Sequence, residues 1–146
     1  MATSRAEHFR KLERMYAAAP INVLYAAKLT ISEGLAELVI PVKNDFFHAA
    51  GAVHGSVYFK ALDDAAYFAV NSLDTENFVL TVSFTVYFIK PITAGEMRAS
   101  GKVVSRTSRL FFAEAHLTDA AGNEIGRGSG TFIRSGRSLS VDIGYQ

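Results

Sequence analysis

Apolar and polar residues alternate most regularly at Leu80, Val82, Phe84, Val86 and Phe88, with Thr81, Ser83, Thr85 and Tyr87 between them. A period of two is the signature of a strand with two different faces. This pattern predicts a strand that Pro91 closes. Leu35, Glu37 and Val39 alternate in the same way with Ala36, Leu38 and Ile40. The pattern predicts strands over 21–30 and 35–42 around a turn at Ser32-Glu33-Gly34, then strands over 96–105, 109–118 and 124–133. Ala120-Ala121-Gly122-Asn123 reads as the hairpin turn before the last of these. Phe111 and Phe112 cannot both face the core of one strand, so one is expected at an interface.

Two segments break the period of two. Phe9, Leu12, Met15 and Tyr16 recur at helical spacing behind a capping Ser4, which predicts a helix over 4–18 that Pro20 ends. From His54 to Ser72, Val57, Phe59, Ala61, Leu62, Ala65, Ala66, Phe68, Ala69 and Val70 point nearly all round a helix. An all-round apolar helix is a buried one. Asp63 and Asp64 sit in its middle, where a carboxylate is costly unless paired or useful. A loop over 43–53 carries Phe46, Phe47 and His48, and the tail from Gly136 fits no single pattern.

The order is helix, two strands, a long buried helix, then four strands. One antiparallel sheet wrapped on one apolar helix, an α+β architecture, satisfies it. The sheet's other face and its edges then need a second copy to cover them. A length of 146 residues suits one domain spanning 1–146, with its core over 21–134 and a tail over 135–146.

Composition narrows the chemistry. The net charge of +1 gives no electrostatic footprint for nucleic acid or an anionic membrane. The absence of cysteine removes disulfides, thiolate nucleophiles and thiolate metal sites, and four scattered histidines show no ligand spacing, so no metal and no cofactor is expected. Charges throughout Arg5 to Arg14 leave no signal-peptide core, and no charge-free apolar run of about twenty residues exists. A cytoplasmic protein is expected.

His54-Gly55-Ser56, Leu62-Asp63-Asp64-Ala65, Asn71-Ser72 and Val86-Tyr87-Phe88-Ile89-Lys90-Pro91 together resemble the hotdog-fold acyl-CoA thioesterases, in particular the phenylacetic-acid-degradation and 4-hydroxybenzoyl-CoA subgroup. Order and spacing match over about 35–134. Ser56 stands where that family usually has a second glycine, and His48 where it often has asparagine.

The resemblance implies thioester hydrolysis, with Asp63 activating water or attacking directly and the Gly55 N–H holding the developing oxyanion at a helix N-terminus. It also implies an acyl- or aryl-CoA substrate, Arg106, Arg109 or Lys90 against the CoA phosphates, and hydroxyls such as Thr81 and Ser83 beside the carboxylate or the water. Each residue also has a plainer role. Asp63 could pair with Lys60, and Asp64 is expected in solvent or at a subunit contact. His54 could be a loop histidine bonded to backbone. His48 could orient water or close its loop. Thr81 and Ser83, on one strand face, could line a solvated surface. The three cations could be surface charge. Ser56 joins the substrate-binding set, and Phe46, Phe47, Tyr58 and Phe59 could line an acyl or aryl pocket.

Residues eight apart on a helix lie roughly 12 Å apart along its axis. Gly55 and Asp63 of one chain therefore cannot meet at one carbonyl. Two antiparallel helices about a two-fold axis would join them, which implies a dimer or a tetramer built of dimers. The competing readings are a domain that binds acyl-CoA without hydrolysing it, and an enoyl-CoA hydratase on the same fold. A hydratase loop would carry a different histidine pattern from 46–54.

Overall fold

The computed structural model describes residues 2–146. Its elements in chain order are α1 (Arg5–Ala18), α2 (Pro20–Tyr25), β1 (Lys28–Ser32), β2 (Leu35–Pro41), α3 (Gly55–Asn71), β3 (Asn77–Phe88), β4 (Glu96–Arg106), β5 (Leu110–Thr118) and β6 (Glu124–Ser138). Single 3₁₀ turns occupy Asn44–Phe46 and Val141–Ile143. The strands form one antiparallel sheet in the order β1-β2-β4-β5-β6-β3, so β1 and β3 are its edges. Among the described residues, none of the helices is long and apolar enough to cross a membrane.

Helix α3 lies along the inner face of this sheet. Ala61, Ala65, Ala66 and Ala69 are fully buried, and these small side chains let the strands approach the helix closely. At Gly101 on β4 a Cβ would stand 2.1 Å from the Ala65 carbonyl oxygen, so only glycine fits. Leu12, Leu38, Met97, Leu117 and Phe132 complete a core that spans α1, α3 and the sheet.

The segment 21–30 departs from its predicted strand. Pro20 does not merely end α1: it occupies the first turn of α2, where its fixed φ suits a helix start. Ala26, at φ 50°, closes α2 in a left-handed turn, and β1 is left with Lys28–Ser32 alone. Ile21, Val23 and Leu24 made that run look like a strand, yet all three are exposed on α2. The tail is also structured. β6 continues to Ser138, and Tyr145 is buried, its hydroxyl 2.7 Å from Nδ1 of the buried His8. Nε2 of His8 lies 2.9 Å from the Asn71 carbonyl, so one histidine ties α1 to the chain's end and to the C-terminus of α3.

Strand β3 corrects a second expectation. Thr81 pairs with Phe132, Ser83 with Thr131 and Phe84 with Gly130, with a break in register between Thr81 and Ser83. Val82 is the extra residue of a bulge, which switches the inward face from odd to even positions. Thr81 therefore points inward beside the buried Phe132, and Ser83 points outward beside Thr131.

The outer sheet face changes the reason for expecting an oligomer. It presents Glu37, Arg98, Ser100, Lys102, Glu114, His116 and Arg127, all exposed, and water suffices to cover it. Exposed apolar surface gathers instead at the β3 edge, where Leu80, Val82, Tyr87, Phe88 and Ile89 are each 46–61% exposed. Of the phenylalanine pair, Phe111 is fully buried and Phe112 is half-buried on the outer face.

Candidate active site

Asp63 and Asp64 are neighbours in sequence, but their surroundings differ. Successive helix residues are turned about 100° apart, so the two carboxyls meet different neighbours. Asp64 Oδ2 accepts from Lys60 Nζ at 2.7 Å and from the Tyr16 hydroxyl at 2.7 Å. Lys60 thus pairs with Asp64 at i,i+4 and not with Asp63, and Asp64 is neither in open solvent nor at a free surface. Lys60 also donates to Asn22 Oδ1 at 2.7 Å, and its ammonium lies 5.5 and 5.2 Å from the Tyr16 and Tyr25 ring centres.

Asp63 has one hydrogen bond among the described residues, from Thr81 Oγ1 at 2.9 Å to its Oδ1. Burial pushes its carboxyl up from 3.8 to about 6. The Thr81 hydroxyl and the Lys60 charge pull the other way, and the Asp64 charge adds to the rise. Such a carboxyl is largely ionised near neutrality yet basic enough to accept a proton. It opens into a cavity of about 410 Å³ lined by Met15, Tyr16, Ile21, Tyr67, Phe78 and Thr81 among others.

The helix N-terminus lies in another cavity, of about 340 Å³, where Gly55 meets His48, Val53, Tyr58, Phe88 and Lys90. His54 is the N-cap: its Nδ1 accepts from the Ser56 amide at 3.0 Å and lies 2.9 Å from Ser56 Oγ. That bond gives both His54 and Ser56 a structural role. The Gly55 amide has no partner among the described residues, as expected for the first turn of a helix. A Cβ at Gly55 would stand 2.8 Å from the Phe88 ring, so the position leaves backbone alone facing the cavity.

The remaining expected residues divide between these places. His48 accepts from the Ala50 amide at 3.1 Å through Nδ1, which closes its own turn, and it lies in the Gly55 cavity apart from Asp63. The Tyr58 hydroxyl donates to the Lys90 carbonyl, and the Lys90 side chain is exposed on the rim. Phe47, His54 and Ser56 border a third hollow with Tyr25, Asp45 and Phe46. Arg106, the last residue of β4, and Arg109, in the β4–β5 turn, are both exposed. That turn sits at the other end of α3, where Arg134 bridges Ser108 to Asp74. Ser83, turned outward by the bulge, is not beside Asp63. The sequence reading missed Tyr16, Asn22 and Tyr67 as walls of the Asp63 cavity. The i,i+4 spacing of Lys60 and Asp64 was the one local signal for that network.

No group of three or more metal-ligating acids and histidines occurs among the described residues.

The fold is similar to that of the Escherichia coli PaaI protein from the phenylacetic acid degradation operon, with a TM-score of 0.84 at 16% identity over 93% of this chain and 99% of that one. A thioesterase family protein from Silicibacter pomeroyi superposes with a TM-score of 0.78 at 26% identity, covering 89% of this chain and 97% of its own. In sequence, a Sulfurisphaera tokodaii protein named "Putative esterase" is 28% identical over 100 residues, 68% of this chain and 74% of that protein. The family described as the thioesterase superfamily matches residues 50–125, just over half of the chain. That span carries Gly55, Asp63 and Thr81, and by it this hotdog-fold chain belongs to the thioesterase superfamily.

Proposed function

We propose that this protein hydrolyses the thioester of an acyl- or aryl-CoA, and that each site uses Asp63 of one chain with Gly55 of another. The observation that carries this reading is the Asp63 carboxyl: half-buried, held by one threonine hydroxyl, and raised to about 6 at the edge of a cavity. In the reaction, the Asp63 carboxylate takes a proton from water as the water oxygen bonds to the thioester carbonyl carbon. Negative charge moves to the carbonyl oxygen, where the unpaired Gly55 N–H and the positive end of α3 receive it. As the carbonyl re-forms, the C–S bond breaks. The thiolate leaves with the proton that Asp63 held, giving a carboxylic acid and free CoA thiol. No cofactor is needed.

Gly55 and Asp63 line separate cavities of the same chain, which supports a site shared across an antiparallel helix pair. The β3 edge supplies both unpaired backbone groups and exposed apolar side chains for that pairing. Lys90, on the rim of the Gly55 cavity, is the cation best situated to meet CoA phosphates.

Two inactive variants test the division. Asp63→Asn removes the base. Gly55→Pro removes the N–H at a first-turn position that tolerates proline, and His54, at φ −65° and ψ 143°, already has the extended backbone that proline requires before it. The Phe88 ring, 61% exposed, is free to turn away. Each homodimer has only damaged sites. A mixed dimer has one site with both lesions and one with neither, so subunit exchange should restore roughly a quarter of the parent thiol release. No recovery despite proven exchange would refute the shared site. Absence of hydrolysis across a panel of CoA thioesters, with binding retained, would make the protein a thioester-binding one.

A further inference from the structure

The cavity beside Asp63 has a wall that the family match does not include. The match begins at residue 50, whereas Met15, Tyr16, Ala19, Ile21 and Asn22, from α1, α2 and their junction, close one side of this cavity. The wall is pinned in place. Tyr16 bonds to Asp64, Asn22 bonds to Lys60, and Asn22 Nδ2 donates to the Tyr16 carbonyl.

The polar atoms of the cavity are largely spent. The Tyr16 hydroxyl donates to Asp64, the Tyr67 hydroxyl to the Val79 carbonyl and the Thr81 hydroxyl to Asp63. Lys60 bonds to Asp64 and Asn22 and lies over two aromatic rings. No hydroxyl donor is left to recognise a polar substituent on an acyl group. Apart from the free Asp63 oxygen, which the proposed reaction uses, what remains for contact is hydrocarbon: Met15, Ala19, Ile21, Phe78 and Leu80.

On the reading that Asp63 activates water against a CoA thioester, we infer that the α1–α2 pair is the acyl-binding wall, that its occupant is an unsubstituted hydrocarbon acyl chain, and that Ala19 and Ile21 set the chain's length. A volume of about 410 Å³ equals that of roughly fourteen waters at ~30 Å³ each, and a methylene is of similar size. With about two of those volumes reserved for the attacking water and the carbonyl oxygen, the chain fills the cavity at about twelve carbons.

The test combines turnover with binding. Thiol release is measured for straight-chain acyl-CoAs from two to sixteen carbons and for 4-hydroxybenzoyl-CoA. Affinity for the same ligands is measured by calorimetry on the Asp63→Asn variant, so length dependence is read even where turnover is slow. Affinity should rise about fourfold per added methylene and level off near about twelve carbons. Ala19→Phe, at a position whose φ of −66° and ψ of 129° accept any side chain, should lower the octanoyl-to-acetyl ratio of kcat/KM at least tenfold. Ile21→Ala, on an exposed helical position, should move the affinity plateau to longer chains. If both variants keep the parent length profile, or if 4-hydroxybenzoyl-CoA outcompetes alkyl chains of equal bulk, the acyl wall is refuted while hydrolysis by Asp63 stands. If Asp63→Asn hydrolyses as fast as the parent, the catalytic reading falls, and the binding profile still decides the wall.

Discussion

Replacing Asp63 with asparagine should make the protein more stable at neutral pH while it abolishes hydrolysis. The folded state raises this carboxyl from 3.8 to about 6, so it binds the proton more tightly than the unfolded chain does. Between those two values the folded protein holds more protons, and stability falls as pH rises. Above about 6 the whole cost is present. At about 1.4 kcal/mol per tenfold change in proton affinity, it amounts to roughly 3 kcal/mol. Asparagine carries no charge, has the same shape, and its Oδ1 can still accept from Thr81.

The variant should therefore exceed the parent by about 3 kcal/mol at pH 7.5 and by less than about 1 kcal/mol at pH 4. Urea unfolding followed by circular dichroism would show a midpoint increase on the order of 1–2 M at pH 7.5. Both proteins must be compared at equal protomer concentration, because association adds to apparent stability. His8 titrates in both proteins and drops out of the difference. A variant no more stable than the parent at pH 7.5, or a difference independent of pH, would refute the claim that Asp63 is ionised at a cost. Thiol release should fall about a hundredfold or more.

If Asp63 is the base, the parent's kcat/KM should fall about tenfold per pH unit below about 6, where the carboxyl takes up its proton; a profile flat to pH 5 would exclude it as the base. Burial holds His8 below its usual range, against the opposing Asn71 carbonyl contact and the Asp74 charge, so the His8 contribution to stability should decline as pH falls below about 6.5, opposite in sign to that of Asp63, and thermal scans of His8→Gln against the parent should show that component lost. Tyr16→Phe, which leaves Asp64 one partner short, should cost about 1 kcal/mol by denaturant titration. Gly101→Ala drives a Cβ onto the Ala65 backbone and should leave little soluble folded protein, judged by expression and circular dichroism.

The sequence made the central elements legible because their signals were strong and local. Helix α3 is apolar all round since the sheet wraps it, and its alanines needed no partner to be recognised as core. Strands β2, β4 and β5 alternated cleanly. Helix α2 was not legible, because isoleucine, valine and tyrosine favour strands, and the preset φ of Pro20 with the left-handed Ala26 outweighed that preference. The bulge at Val82 was equally hidden: the alternation runs straight through it, and only pairing with β6 reveals the switch that separates Thr81 from Ser83. At the site, Gly55 and Asp63 came from spacing and resemblance. Tyr16, Asn22 and the tail's grip on His8 are contacts between distant parts of the chain, which no local pattern encodes.

The adjacent aspartates show why position in a motif is weaker evidence than the company a side chain keeps. Both belong to one buried helix, and either could be named from composition as the base. Asp64 has a lysine ammonium and a tyrosine hydroxyl on one oxygen, so much of its charge is already answered by the protein. Asp63 has only the Thr81 hydroxyl, enough to orient one oxygen and too little to satisfy the charge. Its second oxygen has no bonded partner among the described residues, and it borders a cavity large enough for a ligand. A proton or an electrophilic carbon offered there gains an interaction the folded chain does not supply. The fold thus places its lysine and tyrosine on the residue that holds the N-terminal helices, and withholds them from the residue proposed to react.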